Sequence, residues 1–430
     1  MEETEPNLTL ITTRALEQTK RDSFFLWKSL WQNRFGILDD DAPELARNKF
    51  EKGIRWLWES NVEESSAREA THMIGSFMGL SWPSSEYLAK YQNQPEARVK
   101  RVFELIKELF QKTSENGPVV LFFDDLQWAD QLSLELIRFL LQSAEPRYPL
   151  LILSSARKEF LATKPNWGGL TEIITLDPLP QNVEIARMAY PDLHDLPEDV
   201  MAELACRSDG NPFLLEEMVK GLEKSGVPYS DTTPQQTIEL LCLDNPDKLQ
   251  SMLRARLEAL PRGARTVAML ASVVGRVFWV GPVLAAVRSA SYTGTGLLKL
   301  RPPMIERVVQ DGLRKLVQAE LAFPRAGTRF SEDQEYIFKH SILRDVVYSL
   351  IPSKYLPQYH LAVARWLVIR TDSKYKVMAA NHFEKAGALR EASRYFDLAA
   401  REAESRGAND ETRWLLFKSQ SIKNKLNDLT

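Results

Sequence analysis

The feature that most constrains the fold is the stretch at residues 119–130, where five apolar residues run directly into two adjacent acids, Asp124 and Asp125. Such an apolar run is typical of a strand buried on both faces, as in a parallel α/β sheet. The acids would then lie at the carboxyl end of the strand, the edge where open α/β sheets bind ligands. One carboxylate there can hold Mg²⁺ through water while its neighbour orients or deprotonates an attacking water. A core strand that simply meets solvent with two acids explains the pattern about as well.

Length, charge and cysteine content limit the class of protein. A chain of 430 residues is expected to form two to four domains. The net charge of -3 gives no general attraction to nucleic acid or to an anionic membrane. Cys206 and Cys242 are too few for a disulfide framework, and residues 1–6 lack the basic and apolar regions of a signal peptide. We therefore expect a multidomain cytoplasmic protein.

Neither a membrane span nor a metal site built from protein ligands alone is expected. The most apolar long window, residues 266–287, is interrupted by Ser272, Arg276 and two glycines, which favours a buried helix and turn. The five histidines are scattered without metal-ligand spacing, and neither cysteine has a neighbouring ligand.

Strands and helices alternate through the first part of the chain. β-Branched and apolar runs predict strands, and apolar residues at helical spacing predict helices. Asp130 is placed to cap the helix that follows the acids. Strand tips with polar groups, including Ser155 and Arg157, argue for a parallel sheet with its site along one edge. The predicted strands cover residues 7–14, 119–123, 148–155 and 172–176, and the predicted helices cover residues 23–35, 42–58, 95–112 and 131–143.

The second part of the chain is predicted to be mostly helical. From about residue 182 short helices and polar turns begin, and Gly210, Asn211 and Pro212 form a turn before a helix. Further along we expect a polar linker at residues 224–245, a compact helical unit at 249–325 ending in two short strands around 321–330, and helices at 340–370 and from 377 to the end.

Several segments, in this order, resemble the ATPase module of STAND-class P-loop (AAA-type) proteins, in particular the version fused to bacterial class III adenylate or guanylate cyclases. These segments are residues 123–130, 210–217, 253–257, 271–278 and 338–348. The resemblance implies an incomplete α/β P-loop NTPase-like parallel sheet, followed by an all-α lid, a winged helix and tetratricopeptide (TPR)-like repeats. It places the ATPase core with its Walker B and sensor 1 motifs at residues 1–180, the lid and linker at 181–240, the winged-helix-like unit at 241–330 and the repeats at 331–430.

The resemblance also implies roles for single residues. Asp124 would organise Mg²⁺ through water, Asp125 would act on the attacking water, and Arg157 would read the γ-phosphate. Gly210, Asn211 and Pro212 would pack near adenine. ATP or ADP and Mg²⁺ are thus implied for the full-length parent. The simpler alternatives are a solvated strand end for Arg157 and a helix-entry turn for residues 210–212.

The sequence departs from the family pattern at one point, and because of it a shared ancestry with these ATPases does not imply ATPase activity. A phosphate loop needs the pattern G-x-x-x-x-G-K-[ST], and this sequence contains no Gly-Lys pair. The lost contacts, at roughly 1.5 to 3 kcal/mol each, would weaken binding by more than about 5 kcal/mol. A micromolar site, worth about 8 kcal/mol, would then bind more weakly than about millimolar. We therefore expect no tight binding of ATP, and no competent ATPase, from this chain alone.

The missing loop and the short repeat region carry structural expectations too. In the family's sheet, the strand before the loop lies between the strands predicted at 148–155 and 172–176, so both should show unpaired apolar edges. Repeat arrays usually need about three units, and barely more than one is present here. Both ends are thus expected to be cuts through a longer protein.

Two functional hypotheses remain open. The first is a central nucleotide-switch segment of a bacterial signalling protein of cyclase type, with protein partners at its C-terminal repeats and a missing N-terminal segment carrying the phosphate loop. No cyclase or kinase catalytic domain is encoded, so enzymatic activity is left open. The alternative is a nucleotide-free protein-interaction module, or part of a transcription regulator or protein kinase of the same ATPase class. Binding of DNA through Arg254, Arg256, Arg262 and Arg265 is not expected.

Overall fold

The fold comes from a computed structural model of the chain. The residues it describes are 8–58, 64–142, 148–167, 169–181, 183–184, 187, 196–225, 233, 248–292, 301–325, 330, 333–370 and 375–427.

The first part of the chain is built on a three-stranded parallel sheet. Strands β1 (Thr9–Arg14), β2 (Val119–Asp124) and β3 (Leu150–Ser154) follow the spatial order β1-β2-β3. Leu121, at the centre of β2, is paired with Ile11 of β1 and Ile152 of β3. The strands predicted at residues 7–14, 119–123 and 148–155 are therefore confirmed.

Helices pack on one face of this sheet. The side chain of Trp27 is fully buried, with its ring centroid 5.3 Å from that of Phe123, and its indole N–H donates to the carbonyl of Ser133 at 3.1 Å. These contacts confirm the aromatic stripe at residues 23–35 as core packing. The helices of this part are α1 (Phe25–Phe35), α2 (Pro43–Trp58), α3 (Glu64–Phe77), α4 (Glu86–Ala89), α5 (Pro95–Ser114), α6 (Gln131–Gln142) and α7 (Lys158–Thr163).

The opposite face of the sheet is apolar and exposed. Leu10, Val120 and Leu151 are register partners across the three strands, and Leu10 and Leu151 are 58% and 51% exposed. The strand predicted at residues 172–176 is wrong, because these residues form no strand, and Ile174 and Leu176 are 79% and 86% exposed. A strand needs a hydrogen-bonded neighbour, and among the described residues β3 pairs with β2 alone. Among the described residues β3 therefore has one unpaired edge, as expected, whereas residues 172–176 form no strand and the expectation of a strand edge there is wrong.

The middle of the chain is helical with a second, antiparallel sheet. The helices are α8 (Glu198–Arg207), α9 (Pro212–Ser225), α10 (Lys248–Glu258), α11 (Arg262–Val274), α12 (Val280–Tyr292) and α13 (Pro302–Gln318). The strands β4 (Val277–Trp279), β5 (Ala322–Pro324) and β6 (Glu335–Phe338) follow the order β4-β6-β5.

Two predictions for this region need correction. The window at residues 266–287 contains the buried strand β4 between two helices, where only a helix and turn were expected. The partner of β5 is β6, which lies beyond the predicted limit of residue 330. Both corrections have the same cause, because β6 forms backbone hydrogen bonds with β4 on one side and with β5 on the other. The linker predicted at residues 224–245 lies almost wholly outside the described residues.

The last part of the chain is helical, and its final four helices pack one against the next. They are α14 (Ser341–Ser349), α15 (Leu356–Arg370), α16 (Lys376–Lys385), α17 (Leu389–Ser405) and α18 (Asn409–Asn427). Ala380, Ala392, Ala399 and Ala403 are buried, which confirms small residues at close-packing positions. The helix expected over residues 340–370 is interrupted between α14 and α15. In the part of the chain that the structure describes, no helix is both long and apolar enough to cross a membrane.

Buried polar contacts fasten these last helices to the first part of the chain. Asp130 is buried and accepts hydrogen bonds from the backbone N–H groups of Ser133, at 2.9 Å, and Phe24, at 2.7 Å. It therefore caps α6, as predicted, and also holds the start of α1. Glu411 of α18 accepts a hydrogen bond of 2.8 Å from the backbone N–H of Gln131, the first residue of α6. Burial, followed by the nearby charge of Asp130, raises the pKa of Glu411 to about 7.

Candidate functional site

The three parallel strands bring the predicted polar residues to one edge. Arg14 at the end of β1 is the register partner of Asp124 at the end of β2, and Ser155 follows directly after β3. Because all three strands point the same way, their carboxyl ends converge there. The edge predicted from the sequence is therefore present, with an arginine and a serine beside the acids.

Asp124 is held from two sides. The Nε of Arg14 donates to its Oδ2 at 2.5 Å, with a second contact from the same guanidinium, and the Ser155 hydroxyl donates to its Oδ1. Burial alone would raise the pKa of this carboxyl, but the hydrogen bonds from Ser155 and Arg14 and the charge of Arg14 bring the pKa below its ordinary value. Asp124 is consequently ionised at neutral pH and already neutralised by a cation.

Asp125 turns out of the strand and faces a cavity. Its backbone is left-handed, with φ 58° and ψ 41°, an unfavourable conformation for a residue other than glycine. The conformation is fixed by its N–H, which donates to the Ser155 hydroxyl oxygen at 3.0 Å. The carboxylate accepts from Arg276 at 2.8 Å and from the Gln127 amide at 3.0 Å. A residue just before β4 thus reaches the acid after β2.

Arg157 lies at the same cavity without touching either acid. Its backbone N–H donates to the side-chain carbonyl of Gln127 at 3.2 Å, and its guanidinium lies 5.7 Å from the centre of the Trp128 ring. Its Nη2 is 3.4 Å from the hydroxyl of Ser341, the first residue of α14. Arg157 is exposed, so its side chain is available to a ligand in the cavity.

Residues 210–212 form a separate turn. Gly210 has φ +68°, and a Cβ there would lie 2.3 Å from the carbonyl oxygen of Leu179, so this position requires glycine. The side-chain oxygen of Asn211 accepts from the N–H groups of Phe213, at 3.0 Å, and Leu214, at 3.3 Å. Asn211 therefore caps α9, with Pro212 at its first position. The contacts of the described residues explain this turn as a helix entry, and they do not bring it to the acids.

The cavity beside Asp125, here called the junction cavity, has a volume of about 390 Å³. It opens where the parallel sheet, the end of α11, the start of α14 and the helix α16 meet. Its charged and polar lining includes Glu17, Asp125, Arg157, Arg276, Ser341, Arg344, Asp345, His382 and Lys385.

A hydrogen-bonded histidine pair lies behind the wall of this cavity. The Tyr348 hydroxyl is 2.8 Å from Nε2 of His360, and the Nδ1 atoms of His360 and His382 are 2.8 Å apart. The ring of His382 also bonds the backbone of Val274, where a carbonyl can only accept. This fixes the direction of the hydrogen bonds: the Tyr348 hydroxyl donates to His360, and His360 donates to His382. Burial lowers the pKa of both rings, that of His360 to about 3, so both are neutral.

The acid pair does not fit a resident Mg²⁺ in this arrangement. Each oxygen of Asp124 already accepts a hydrogen bond, and the Arg14 guanidinium occupies the position of a counter-cation. Within the described ranges, no three His, Cys, Asp or Glu side chains gather closely enough to hold a metal ion. Mg²⁺ commonly needs one or two carboxylates together with substrate phosphates. The role of Asp124 toward Mg²⁺ stays a prediction.

Sequence reasoning found Asp124, Asp125 and Arg157 and placed Ser155 at a strand tip, but it did not identify Arg14, Ser155 and Arg276 as the partners of the acids. Arg14 and Ser155 stand at strand ends, so their position after predicted parallel strands was a usable signal. Arg276 lies 151 residues from Asp125, and no spacing rule connects them.

Comparisons with known proteins show what parts of this chain are similar to. Residues 16–153 match the AAA ATPase domain family. An uncharacterised protein of Rhizobium meliloti (strain 1021) is 23% identical over 349 residues, which cover 75% of this chain and 30% of that protein. A crystal structure of a Signal Transduction ATPase with Numerous Domains (STAND) protein with a tetratricopeptide repeat sensor, from Pyrococcus horikoshii, aligns with a TM-score of 0.36 and 14% identity over 98% of this chain and 62% of that one. The chain thus spans under a third of its relative's length. The region that carries β2, Asp124 and Asp125 is similar to an AAA ATPase domain.

Proposed function

We propose that this chain is the central nucleotide-switch segment of a STAND-class signalling ATPase. The observation that carries the proposal is the bond of 2.8 Å between Arg276 and Asp125, which ties the strand tip of the AAA-like region to the helical unit beyond it. In the proposed mechanism, a nucleotide at the acids competes with this bond. The nucleotide state then sets how tightly the two regions pack.

The residue roles within this proposal follow the family pattern. In a longer chain that supplies a phosphate loop, Asp124 would hold Mg²⁺ through water once Arg14 had moved away from it, Asp125 would act on the attacking water, and Arg157 would contact the γ-phosphate. Asp125 and Arg157 both line the junction cavity, and Asp124 directly precedes Asp125 at the end of β2, which supports these roles. Residues 210–212 are proposed to approach adenine when the lid formed by α8 and α9 closes.

The proposed domain plan follows the same pattern. Residues 1–180 form the partial ATPase core, 181–240 the lid and linker, 241–330 a winged-helix-like unit and 331–430 the first TPR-like repeats. The antiparallel sheet β4-β6-β5 beside α11 and α13 supports the winged-helix assignment, and the successive packing of α16, α17 and α18 supports the repeats. An adenylate or guanylate cyclase is the proposed output, and proteins are the proposed partners of the repeats. Nucleic acid is not proposed, since Arg256 is buried in an ion pair with Glu217.

We further propose that the isolated chain is not a competent ATPase, because the sequence lacks a Gly-Lys pair. Calorimetric titration with Mg-ATP should show binding weaker than about millimolar for this chain and about micromolar for a longer chain that supplies a phosphate loop. In that longer chain, the substitution Asp125→Asn should abolish hydrolysis but retain binding, while Asp311→Asn, a matched change at an exposed acid of α13 outside the cavity, should leave both intact. Submicromolar binding to the isolated chain would contradict the proposed incompetence.

A second candidate function is a nucleotide-free protein-interaction module. It is favoured by one observation, the arginines that neutralise both acids, Arg14 on Asp124 and Arg276 on Asp125. On this hypothesis the acids serve only as structural ion-pair partners. The full-length parent would then bind no nucleotide, and Asp125→Asn would loosen the packing of α11 without changing any activity.

A further inference from the structure

The side chains that line the junction cavity carry more positive than negative charge. Four cations face it from four elements: Arg157 after β3, Arg276 before β4, Arg344 in α14 and Lys385 at the end of α16. Arg276 is paired with Asp125. Arg344 is paired at 2.9 Å with Asp345, whose side chain is 66% exposed, so solvent weakens this pair.

Lys385 is the least compensated of these cations. In the described part of the chain its ammonium group has no hydrogen bond or ion pair. The residue is exposed at the edge of the cavity, and desolvation there together with the charge of Arg344 lowers the pKa of its ammonium group. Glu17 and Glu384 oppose the shift without forming a pair. A cation held near another cation without a partner is destabilising, and an anionic ligand would relieve both.

The remaining wall offers neutral donors beside these charges. The Ser341 hydroxyl lies 3.4 Å from Nη2 of Arg157, and Asn381 of α16 also lines the cavity. The Nε of Arg344 is fixed by the carbonyl of Ser272 at 2.9 Å, which holds the guanidinium in place at the wall. Guanidinium and ammonium groups with hydroxyl and amide donors are the usual partners of phosphate oxygens.

We propose that the junction cavity binds a phosphate group between Arg344, Lys385 and Arg157, so that the helix α16 takes part directly in ligand recognition. The site shares Arg157 with the proposed nucleotide switch but uses neither Asp124 nor Asp125, so the roles of Arg344 and Lys385 toward inorganic phosphate can hold even if the switch does not exist. The volume of about 390 Å³ leaves room for more than one phosphate or for an attached organic group. The phosphate is supplied either by a nucleotide or by a free phosphate ester or ion. Either source would fasten the parallel sheet, α14 and α16 to one another.

The test is a thermal-shift and calorimetric titration of the full chain with inorganic phosphate, pyrophosphate, Mg-free ATP and adenosine at constant ionic strength. Phosphate-bearing ligands should raise the melting temperature saturably, and adenosine should not. Lys385→Gln and Arg344→Gln should each weaken binding about tenfold, a loss typical of one charged hydrogen bond. Lys100→Gln, which removes an exposed cation from α5, should bind like the wild type.

Because Lys385 makes no ion pair or hydrogen bond with any residue that the structure describes, Lys385→Gln should fold normally and melt no lower than the wild type without ligand. Equal affinity for pyrophosphate and ATP would assign the site to a free phosphate group, and tighter binding of ATP through the same two residues would assign it to a nucleotide. A melting shift no larger than that produced by chloride at the same ionic strength would overturn the proposal. Identical affinities of the Lys385→Gln and Lys100→Gln variants would overturn it as well.

Discussion

Replacing Glu411 by glutamine should make this protein more stable at alkaline pH and change it little at acid pH. Glu411 is buried where α18 meets the first turn of α6, and it accepts a hydrogen bond from the Gln131 backbone N–H. Glutamine keeps a carbonyl oxygen that can accept the same bond. The substitution therefore removes the charge and preserves the contact.

The magnitude follows from the raised pKa. Burial and the charge of Asp130 raise the pKa of Glu411 to about 7, against 4.5 for an ordinary glutamate. A group whose pKa is raised on folding favours the folded state below its unfolded pKa, and that contribution is lost as the pH rises through the folded pKa. The loss is on the order of 3 kcal/mol at about pH 8, and roughly 1 kcal/mol of it has occurred by about pH 5. Glu411→Gln should recover this difference.

The assay is thermal and urea denaturation of the wild type and the variant at about pH 5 and about pH 8. Any penalty from the amide group is independent of pH, so the change in the stability difference between the two pH values is the decisive quantity. Glu391→Gln, at an exposed position of the neighbouring helix α17, is the matched control and should show no such change. A stability difference that is constant with pH, or that is larger at acid pH, would refute the reasoning.

Three further predictions concern acid stability, helix packing and the exposed sheet. The pKa of His360 is depressed to about 3, so its contribution is present above about pH 6.5 and lost as the pH falls, by about 2 kcal/mol at pH 5; His360→Gln should flatten this acid loss in denaturation curves. Gly53→Ala should destabilise by about 1 to 3 kcal/mol, because a Cβ would lie 2.2 Å from the ring of Phe35, whereas Gly263→Ala meets nothing closer than 3.5 Å and should be neutral or stabilising in the same melting assay. Leu153→Lys, on the exposed face of β3, should reduce aggregation and dye binding without lowering the melting temperature.

Each of these predictions has a contradicting outcome. If His360→Gln lost as much stability at acid pH as the wild type, the imidazole would not take up a proton on unfolding in this pH range. Equal melting temperatures of the two alanine variants would show that α2 shifts freely away from Phe35. A large loss of stability in Leu153→Lys would show that the exposed face of the sheet is covered in solution.

The sequence alone determined the local structure and the position of the acids. Apolar runs at residues 7–14, 119–123 and 148–155 are long enough to form strands in any context that supplies neighbours, and an acid pair directly after such a run must lie at a strand tip. Asp130 was identifiable as a helix cap because capping depends on residues only a few positions apart. Local periodicity and local hydrogen bonding are properties of short segments, so a sequence reports them directly.

Only the tertiary structure decided which strands pair with one another and which charged side chains neutralise one another. Residues 172–176 have the composition of a strand but form none, since no described strand lies beside them, and β4 exists because β6 supplies its hydrogen bonds. Arg276 reaches Asp125 across 151 residues, and Glu411 reaches Gln131 across 280. Such contacts depend on how whole helices and sheets pack. The acids were therefore predictable from their own strand, whereas the arginines that neutralise them and the cavity beside them were set by the packing of distant elements.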